Sequence, residues 1–519
     1  MRVLTPEEMV RWEKLAMTSL SLSDELLMER AGMAIARGVM RIARFRCRVV
    51  ALAGKGNNGG DALVALRELH ALGVPVSAVL VNPEDECGLS VQRECSRLRS
   101  LGIERDSILS SRGWHRINHA DVLIDGILGT GFRGTLSPDL QDIIGRVNQT
   151  GKKVVAVDIP SGVDGSTAEV GSVAIKAALT VTFGLPKWGL LTDPGHRFAG
   201  MIVVSEIGIP STFLQQSEPA LVLSKEDAFK WLPERGPFIH KGNAGHVVVL
   251  GGSPGKRGAP ELSALGALRS GAGLATIIFD ERDKEIAPKN PEVMVEMDDF
   301  PFNGLLDRAD VLAVGPGLNP NSMKTSSFNQ LLERFSGPVV GDAGVFDLFK
   351  GNPKGMVREN GKPLVLTPHP GEFSRLLGKP VQEILSDSRK IVSETARQLN
   401  AVVLLKGWRT IIAAPDGEVA VNLTGAPNMA TAGMGDLLTG IIASFMAQGL
   451  SAFRAAVLGA HVHGLAGELA WRNGKTCGLL AHELAENLPL VLTHLKAFEW
   501  GEMAQDTVLY EPLGSQSEQ

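Results

Sequence analysis

The strongest constraint on the fold is an alternation of short apolar segments with helix-length segments. The first half of the chain contains six such apolar segments: VVALAG at 49–54, VPVSAVLV at 74–81, DVLIDG at 121–126, KVVAVDIP at 153–160, LTVTFG at 179–184 and MIVVSEIG at 201–208. Strands that are joined by helices pair side by side through right-handed crossovers. The first half is therefore predicted to form a parallel sheet covered by helices.

The same alternation restarts after a break that marks a domain boundary. Residues 209–240 are rich in proline, glycine and polar side chains, so we place the boundary near 215–235. The strands predicted beyond it are HVVVLGG at 246–252, LATIIF at 274–279, DVLAVGPG at 310–317, PVVGDAG at 338–344, LVLTPHP at 364–370, VVLLKG at 402–407 and a hairpin that turns at 415–417. Helices are predicted from Gly433 to about Leu495.

These patterns predict an α/β protein with two three-layer α/β/α domains, residues 1–218 and residues 225–505. A chain of 519 residues exceeds one ordinary core, which agrees with two domains. The chain should begin with a helix, because Thr5 and Glu8 form a capping box with proline at the first helical position. A second helix is predicted after Ser23, and the tail GSQSEQ is predicted to be disordered.

Charge and cysteine content argue against several classes of protein. The formal net charge of −5 is not the basic field of a nucleic-acid-binding protein. The four cysteines form no CxxC pair, and we find neither a signal-peptide pattern nor an apolar stretch of membrane-spanning length. We therefore expect a cytoplasmic enzyme that acts on small molecules, without nucleic-acid or membrane partners. A homo-oligomer is the expected assembly.

The first candidate site lies in glycine-rich loops that follow predicted strands of the first domain. AGKGNNGGD at 53–61 follows a strand and opens a helix, so its backbone N–H groups and asparagine side chains can contact a ligand. Asp125 and Asp158 each end a strand, and the carboxyl ends of parallel strands meet at one edge of a sheet. Asn58, Asp125 and Ser161 can then offer oxygens to a hard cation, and Asp158 can act as a general acid or base.

The motifs AGKGNNGGD, DGILGTGFRGT and VDIPSGVDG, in this order within residues 1–215, resemble the NAD(P)H-hydrate epimerase family. The resemblance implies a Rossmann-like domain and an isomerase that interconverts the R and S forms of hydrated NADH and NADPH (NADHX and NADPHX). It also implies potassium bound by Asn58, Asp125 and Ser161, with Asp158 as the catalytic residue near the reacting carbon. The substrate contacts it implies are Asn57, Asn58, Gly59, Gly60, Asp61, Gly129, Thr130, Gly131, Phe132, Arg133, Gly134, Thr135 and Asp158.

The second candidate site is a glycine-rich turn before an apolar helix of the second domain. Gly433, Gly435 and Asp436 precede LLTGIIASF, and the N–H groups of such a helix start can hold a transferring phosphoryl group. Asp436 lies in the first turn, where a carboxylate can accept the proton of an attacking hydroxyl group. Lys406, at the end of a predicted strand, can hold a nucleotide phosphate.

Together with GGSPG at 251–255, ALRSGAG at 267–273, GPG at 315–317 and HPGE at 369–372, this turn resembles the ribokinase-like superfamily and, within it, the ADP-dependent NAD(P)H-hydrate dehydratases. The resemblance implies a lyase that dehydrates S-NAD(P)HX with ADP and Mg²⁺, giving AMP and phosphate, with Asp436 as the catalytic residue. It implies substrate contacts at Ala267, Gly317, His369 and Asp436, and nucleotide contacts at Lys406, Gly407, Trp408, Arg409, Thr410 and Gly435. The two resemblances together imply a bifunctional enzyme that repairs hydrated nicotinamide cofactors.

Several alternatives stay open at this point. The second domain also fits a small-molecule kinase with a stable phosphorylated product, and the first also fits a non-catalytic binding module. The sequence does not decide between ADP and ATP, between NADHX and NADPHX, or between Ala264 and Ala267 as the aligned contact. His461 and His463 lie two residues apart on a predicted helix and point in different directions, so we reject them as a metal-binding pair.

Overall fold

The computed structural model describes residues 1–43, 47–210, 220–279, 288–296, 303–321, 325–358, 361–497 and 506–513. The chain divides into two compact units. The N-terminal unit comprises Arg2–Pro219 and Gly501–Gln519, and the C-terminal unit comprises Met1 and Ala220–Trp500. Each unit is built around a mainly parallel sheet with intervening helices, so the predicted α/β class with two domains is confirmed.

The N-terminal unit alternates strands and helices over most of its length. Its elements are β1 (Arg2–Val3), α1 (Pro6–Leu20), α2 (Asp24–Ile42), β2 (Val49–Ala53), α3 (Asn57–Ala71), β3 (Val76–Leu80), α4 (Leu89–Ser100), β4 (Arg105–Ser107), α5 (Ser111–His119), β5 (Val122–Gly126), α6 (Pro138–Gln149), β6 (Lys153–Val157), β7 (Leu179–Phe183), α7 (Trp188–Leu191), α8 (His196–Ala199) and β8 (Met201–Ser205). The strands lie in the order β8-β7-β6-β5-β2-β3-β4, each parallel to its neighbours.

The C-terminal unit repeats this plan and adds a hairpin. Its elements are β9 (Ala220–Leu221), α9 (Lys225–Trp231), β10 (His246–Gly251), α10 (Gly258–Arg269), β11 (Leu274–Phe279), β12 (Met294–Val295), α11 (Asn303–Leu306), β13 (Val311–Val314), α12 (Thr325–Arg334), β14 (Val339–Gly341), α13 (Gly344–Leu348), β15 (Leu364–Leu366), α14 (Pro370–Leu377), α15 (Val381–Ser386), α16 (Ser388–Leu399), β16 (Val402–Leu405), β17 (Thr410–Ala413), β18 (Val419–Asn422), α17 (Met434–Ala447), α18 (Ala452–Arg472) and α19 (Ala481–Lys496). The order is β9-β18-β17-β16-β15-β14-β13-β10-β11-β12, with β16, β17 and β18 antiparallel to one another in turn.

Both sheets contain a point where the strand order reverses. In the N-terminal unit the chain proceeds from β2 to β3 and β4 on one side, and β5 then pairs with the other side of β2. In the C-terminal unit β10 is flanked in the same way by β11 and β13. Loops that leave such a pair of strands diverge and open a crevice at the carboxyl edge of the sheet. Each unit therefore offers a ligand site at a place that its topology fixes.

Local sequence signals account for most element boundaries. The predicted capping box forms, since the Thr5 N–H donates to Glu8 Oε2 at 2.6 Å and the Glu8 N–H donates to Thr5 Oγ1 at 3.3 Å. The predicted apolar strands are all present, but several end earlier than predicted. The strand predicted at 153–160 stops at Val157, because Asp158 adopts a left-handed φ of 62° that a strand cannot contain.

One further strand, β19 (Asp506–Tyr510), follows the last helix and was not predicted. It pairs antiparallel with β8 at the edge of the N-terminal sheet, where Asp506 is the partner of Ser205. The Tyr510 ring packs edge-to-face against His196, with ring centroids 4.5 Å apart. The N-terminal unit is thus completed by residues from the other end of the chain. The predicted disordered tail, 514–519, lies outside the described residues.

Truncation after residue 505 should therefore destabilise the N-terminal unit rather than the C-terminal one. The truncated chain loses the pairing partner of β8 and an aromatic contact that contributes about 0.5–1.5 kcal/mol. We expect the calorimetric transition of the N-terminal unit to move down by roughly 2–4 °C for each kcal/mol lost. Truncation after residue 513 keeps β19 and should leave both transitions unchanged. Equal melting profiles for the two truncated chains would contradict a stabilising role for β19.

Candidate active sites

Both candidate sites lie at the carboxyl edge of a sheet, on loops that leave the reversal point. In the N-terminal unit these are the loops after β2, β5 and β6. In the C-terminal unit they are the loops after β10, β13, β14, β15 and β16, together with the start of α17. Among the described residues, no helix is long and apolar enough to cross a membrane.

The three predicted cation ligands of the N-terminal unit meet in one place. Ser161 donates its hydroxyl to Asp125 Oδ1 at 2.6 Å and its backbone N–H to Asp125 Oδ2 at 2.8 Å. The Asn58 amide nitrogen donates to the carbonyl oxygens of Val157 at 2.7 Å and Leu128 at 3.2 Å. Side-chain and carbonyl oxygens from three loops therefore converge around the Asn58 amide.

Asp125 is a fully buried carboxyl group whose hydrogen-bond donors among the described residues are all neutral. Burial raises the pKa of Asp125 to about 6, although the hydrogen bonds from Ser161 and from the Ile127 N–H oppose the shift. A buried carboxylate whose partners are neutral is a group that a bound cation stabilises. The donor set, one carboxylate with amide, hydroxyl and carbonyl oxygens, fits a hard monovalent cation. Among the described residues there is no cluster of three or more His, Cys, Asp or Glu for a transition metal.

Asp158 lies beside this set and is held by three donors. The Thr182 hydroxyl donates to Asp158 Oδ1 at 2.9 Å, the Phe183 N–H donates to the same oxygen at 3.2 Å, and the Lys187 ammonium group also donates to it. Lys187 is 1% exposed. The left-handed backbone of Asp158 is a strained conformation of the kind that is found at functional sites.

Two more acidic residues face the Asp158–Lys187 pair. Asp61, in the first turns of α3, is fully buried, and its pKa is raised well above the usual value by burial and then by the charges of Asp158 and Glu13. Burial likewise raises the pKa of Glu13, which belongs to α1. One lysine thus lies among three carboxyl groups, and burial with the charges of Asp158 and Glu13 disfavours the ionised form of Asp61.

The predicted substrate loops lie next to these groups. Gly129 packs directly against the Asn58 side chain and leaves no room for a Cβ atom. Arg133, farther along the same loop, forms an ion pair with Glu7 and donates to the Ser166 hydroxyl at 3.0 Å. The loop at 129–135 is therefore tied to α1, and its Thr130 and Gly131 backbone remains at the surface.

In the C-terminal unit, the start of α17 faces a partly buried lysine. Gly433 precedes the helix with a left-handed φ of 89°, which favours glycine. Lys406, directly after β16, donates from Nζ to Asp342 Oδ1 at 2.7 Å. Asp342 Oδ2 accepts from the Thr439 hydroxyl of α17 at 2.9 Å. A Cβ atom on Gly435 would lie only 3.0 Å from Lys406 Nζ, so the lysine is directly against the helix N-terminus.

Asp436 is the acid of this site. Burial, followed by the Asp342 carboxylate, raises the pKa of Asp436 to about 7, and Lys406 opposes the shift. Burial also raises the pKa of Glu372 to about 6 against the same lysine. Burial alone would lower the pKa of Lys406, but Asp342 and Glu372 raise it. The lysine therefore stays charged, and Asp436 is poised to exchange a proton near neutral pH.

His369 caps the helix that carries Glu372. Its Nδ1 accepts from the Gly371 N–H at 3.0 Å and the Glu372 N–H at 3.3 Å, and its side chain is half exposed. Burial and the nearby Lys406 lower the pKa of His369. A neutral imidazole with Nδ1 as the acceptor carries its proton on Nε2, which lies 3.3 Å from Glu372 Oε1.

The structure separates two of the other predicted substrate contacts. Gly317 lies in the loop after β13, next to Lys256 and Ala259 at the start of α10. Ala267 and Ala264 are fully buried in the hydrophobic core farther along this helix. A side chain without exposed surface cannot contact a ligand, so the structure does not bring Ala267 to the site. Ala259, which the sequence analysis did not single out, lies beside Gly317 instead.

The predicted nucleotide segment 406–410 forms a tight turn. The Thr410 hydroxyl donates to the Gly407 carbonyl at 3.2 Å. Trp408 is 43% exposed, with the Arg409 guanidinium 4.8 Å from its ring centroid. Arg409 itself is buried and donates to the Leu423 carbonyl at 2.6 Å. The backbone of the turn and the Trp408 ring are therefore available to a ligand, whereas the Arg409 side chain points into the unit.

Sequence reasoning missed four residues of the two sites: Glu13, Lys187, Asp342 and Glu372. The sequence could have indicated Asp342, because this residue directly follows an apolar strand. Asp125, near the end of its strand, and Asp158, directly after its strand, were predicted from the same kind of position. No sequence signal indicated Lys187, since a lysine four residues beyond a strand is ordinarily a surface residue.

His461 and His463 are buried in α18, where burial lowers the pKa of each to about 4.

Known proteins resemble both units. A family model described as NAD(P)H-hydrate dehydratase matches residues 247–490, and one described as YjeF-related protein N-terminus matches residues 24–189. The bifunctional NAD(P)H-hydrate repair enzyme Nnr of Moorella thermoacetica is 38% identical, with 96% of this chain and 97% of that protein covered. The Escherichia coli protein of the same name is 34% identical, with 94% of this chain and 93% of that protein covered. The crystal structure of the ADP/ATP-dependent NAD(P)H-hydrate dehydratase from Bacillus subtilis, co-crystallised with ATP and Mg²⁺, is 33% identical; the match covers 52% of this chain and 97% of that chain, with a TM-score of 0.46.

The Lys406–Asp342 pair makes a prediction about stability. Lys406→Met removes the charge and leaves Asp342, which is 1% exposed, without its ion-pair partner. Removing one member of a buried pair costs about 3–5 kcal/mol, so urea unfolding should show a loss of this size in the C-terminal unit. The matched control is Lys230→Met, which breaks the exposed pair with Glu226 and should cost no more than about 1 kcal/mol. Equal effects of the two substitutions would contradict the importance of the buried pair.

Proposed function

The chain belongs to the family of bifunctional NAD(P)H-hydrate repair enzymes, and we propose which residues of its two sites carry the two activities. The enzyme epimerises the R and S forms of hydrated nicotinamide cofactors and dehydrates the S form to NAD(P)H. We assign epimerisation to the crevice around Asp158 and dehydration to the crevice around Asp436. The single observation that carries the second assignment is the Asp436 carboxyl group beside the glycine turn of α17, opposite the partly buried Lys406.

The dehydratase chemistry follows from the leaving group. In the hydrate, water has been added across the C5–C6 bond of the nicotinamide ring, and hydroxide is a poor leaving group. We propose that Asp436 accepts the proton of the C6 hydroxyl group while ADP transfers its terminal phosphoryl group to the oxygen, giving AMP. The N–H groups at the start of α17 and the Lys406 ammonium group stabilise the charge of the transferring group. Phosphate then leaves as the C5 proton is lost, which restores NAD(P)H.

The substrate and nucleotide contacts follow the same geometry. We propose that Gly317, Ala259 and His369 contact the hydrate, and that the turn of 406–410 and Gly435 contact ADP. Glu372 is a buried carboxyl group at the site and offers an oxygen to a magnesium ion that accompanies ADP. A magnesium ion that is held mainly by substrate phosphates needs only one or two protein carboxylates. The buried Arg409 side chain is then structural, and Trp408 offers a ring for stacking.

In the epimerase site we propose that Asn58, Asp125 and Ser161 bind potassium, with Asp158 acting at C6. A bound potassium ion would supply the positive charge that the buried Asp125 carboxylate lacks. Its position next to the loop at 129–135 would also fix the backbone that the substrate contacts. We further propose that both NADHX and NADPHX are substrates and that the enzyme forms a homo-oligomer in the cytoplasm.

The test is recovery of dihydronicotinamide absorbance from an epimeric NADHX mixture with ADP, Mg²⁺ and K⁺. The wild-type enzyme should convert both epimers. Asp436→Asn should lower ADP-dependent recovery by about 10²–10⁴-fold, because it removes the proton acceptor, and should leave epimerisation intact. Recovery that stops at the S fraction would reject the epimerase assignment. A stable phosphorylated product without recovery would instead indicate a small-molecule kinase.

Replacing K⁺ by Na⁺ in the same assay tests the proposed potassium site separately from the dehydratase. Epimerisation should slow while dehydration of pure S-NADHX continues. Asp125→Asn should remove the difference between the two cations.

The titration of Asp436 predicts the pH dependence of dehydration. Only the ionised carboxylate accepts a proton, and the pKa of Asp436 is about 7, so kcat/KM should fall as the pH decreases below about 7. The limiting slope should approach tenfold per pH unit. Initial rates with pure S-NADHX, corrected for the reaction without enzyme, measure this limb. A rate that stays constant down to about pH 5 would exclude Asp436 as the base.

A further inference from the structure

The Asp158 carboxylate is held through only one of its two oxygens. Thr182, Phe183 and Lys187 all donate to Oδ1. No hydrogen bond between described residues ends on Oδ2. Three donors on one oxygen fix the plane and the direction of the group, and they leave the other oxygen for a ligand.

Lys187 is committed to this arrangement. Its Nζ donates to Asp158 Oδ1, to the Thr182 hydroxyl at 3.2 Å and to the Phe183 carbonyl at 3.0 Å, so all three N–H donors have partners. With 1% of its surface exposed, the ammonium group depends on the Asp158 charge, and the carboxylate depends on the ammonium group. A lysine that only stabilised the fold would not need to be buried beside the catalytic carboxylate.

The other titratable groups that face Asp158 are Asp61 from α3 and Glu13 from α1. Burial raises the pKa of both of these groups. Among the three carboxyl groups, Asp158 is the one to which Lys187 donates.

We propose that Lys187 is a positioning residue of the epimerase, which fixes the Asp158 carboxylate through Oδ1 and leaves Oδ2 free to act as the base. This inference deepens the proposed function and rests on it. In the reaction, the C6–O bond breaks as the lone pair of the ring nitrogen forms a C6=N1 double bond. The departing oxygen takes a proton from solvent and leaves as water.

Water then adds to the opposite face of C6. Its oxygen forms the new C–O bond, Asp158 accepts one of its protons, and the electron pair of the C=N bond returns to nitrogen. Release of that proton from Asp158 to solvent restores the starting state. No oxidant or additional reactant is consumed, and the reaction runs equally in both directions, as an epimerisation requires.

The test measures conversion of R-NADHX to the S form without ADP, from about pH 5.5 to pH 9. Lys187→Met should lower the rate at pH 7 at least 100-fold. It should also move the acidic limb of the pH–rate profile upward by one unit or more, so that part of the activity returns at high pH. If Lys187 had only a structural role, its replacement would lower the rate by the same factor at every pH. Thr182→Val, which removes a neutral donor, should produce a smaller loss and a smaller shift in the same direction.

Lys153→Met, at an exposed lysine of β6, is the matched control and should behave like the wild type. Calorimetry of each variant shows whether the N-terminal unit is folded. If Lys187→Met is unfolded, Thr182→Val is used for the test instead.

The outcomes separate the inference from the proposed function. A wild-type enzyme that does not interconvert the epimers would reject the proposed function itself. A wild-type enzyme that does, with a Lys187→Met or Thr182→Val profile that keeps its midpoint, would overturn the role of Lys187.

Discussion

Each site depends on a lysine that is buried against an aspartate. Lys187 pairs with Asp158 in one unit, and Lys406 pairs with Asp342 in the other. Taking either charge out of water alone would cost several kcal/mol, so neither partner is stable in its place without the other. The pairs differ in what the aspartate does. In the N-terminal unit the paired aspartate is the proposed base, whereas in the C-terminal unit the pair leaves Asp436 as the base and holds the lysine against the helix N-terminus.

The topology explains why similar arrangements arise in both units. Parallel strands bring their carboxyl ends to one edge, and the reversal of strand order opens a crevice between β2 and β5 and between β10 and β13. Residues that directly follow a strand are fixed by the sheet, which accounts for the positions of Asp158, Asp342 and Lys406. Burial under the loops then shifts pKa values, so that groups of the same chemical type hold protons at different pH values. The fold supplies position and desolvation, and the individual side chains supply the chemistry.

Sequence patterns predicted the strands, the helix caps, the glycine turns and the residues directly attached to them. These features are local, because periodicity, capping and turn chemistry depend on a few neighbouring residues. The missed features depend on contacts between distant residues. Lys187 is buried because it folds back onto a loop 29 residues earlier, and β19 pairs with a strand about 300 residues away. The sequence analysis considered Ala267 and Ala264 but not Ala259, because sequence resemblance does not show which face of α10 meets the core.

The two reactions remove the same C6 hydroxyl group in different ways, and the residues of the two sites explain the difference. In the proposed epimerase step the oxygen leaves as water after protonation, and water must be free to return, so a positioned base in an open crevice is sufficient. In the dehydratase the oxygen must not return. Phosphorylation serves that purpose, because phosphate leaves as a stable anion and the C5 proton follows. The cost is one ADP for each molecule repaired, which is why a site for phosphoryl transfer is needed in one unit and not in the other. The dehydratase accepts only one configuration at C6, and an epimerase on the same chain makes the other configuration available to it.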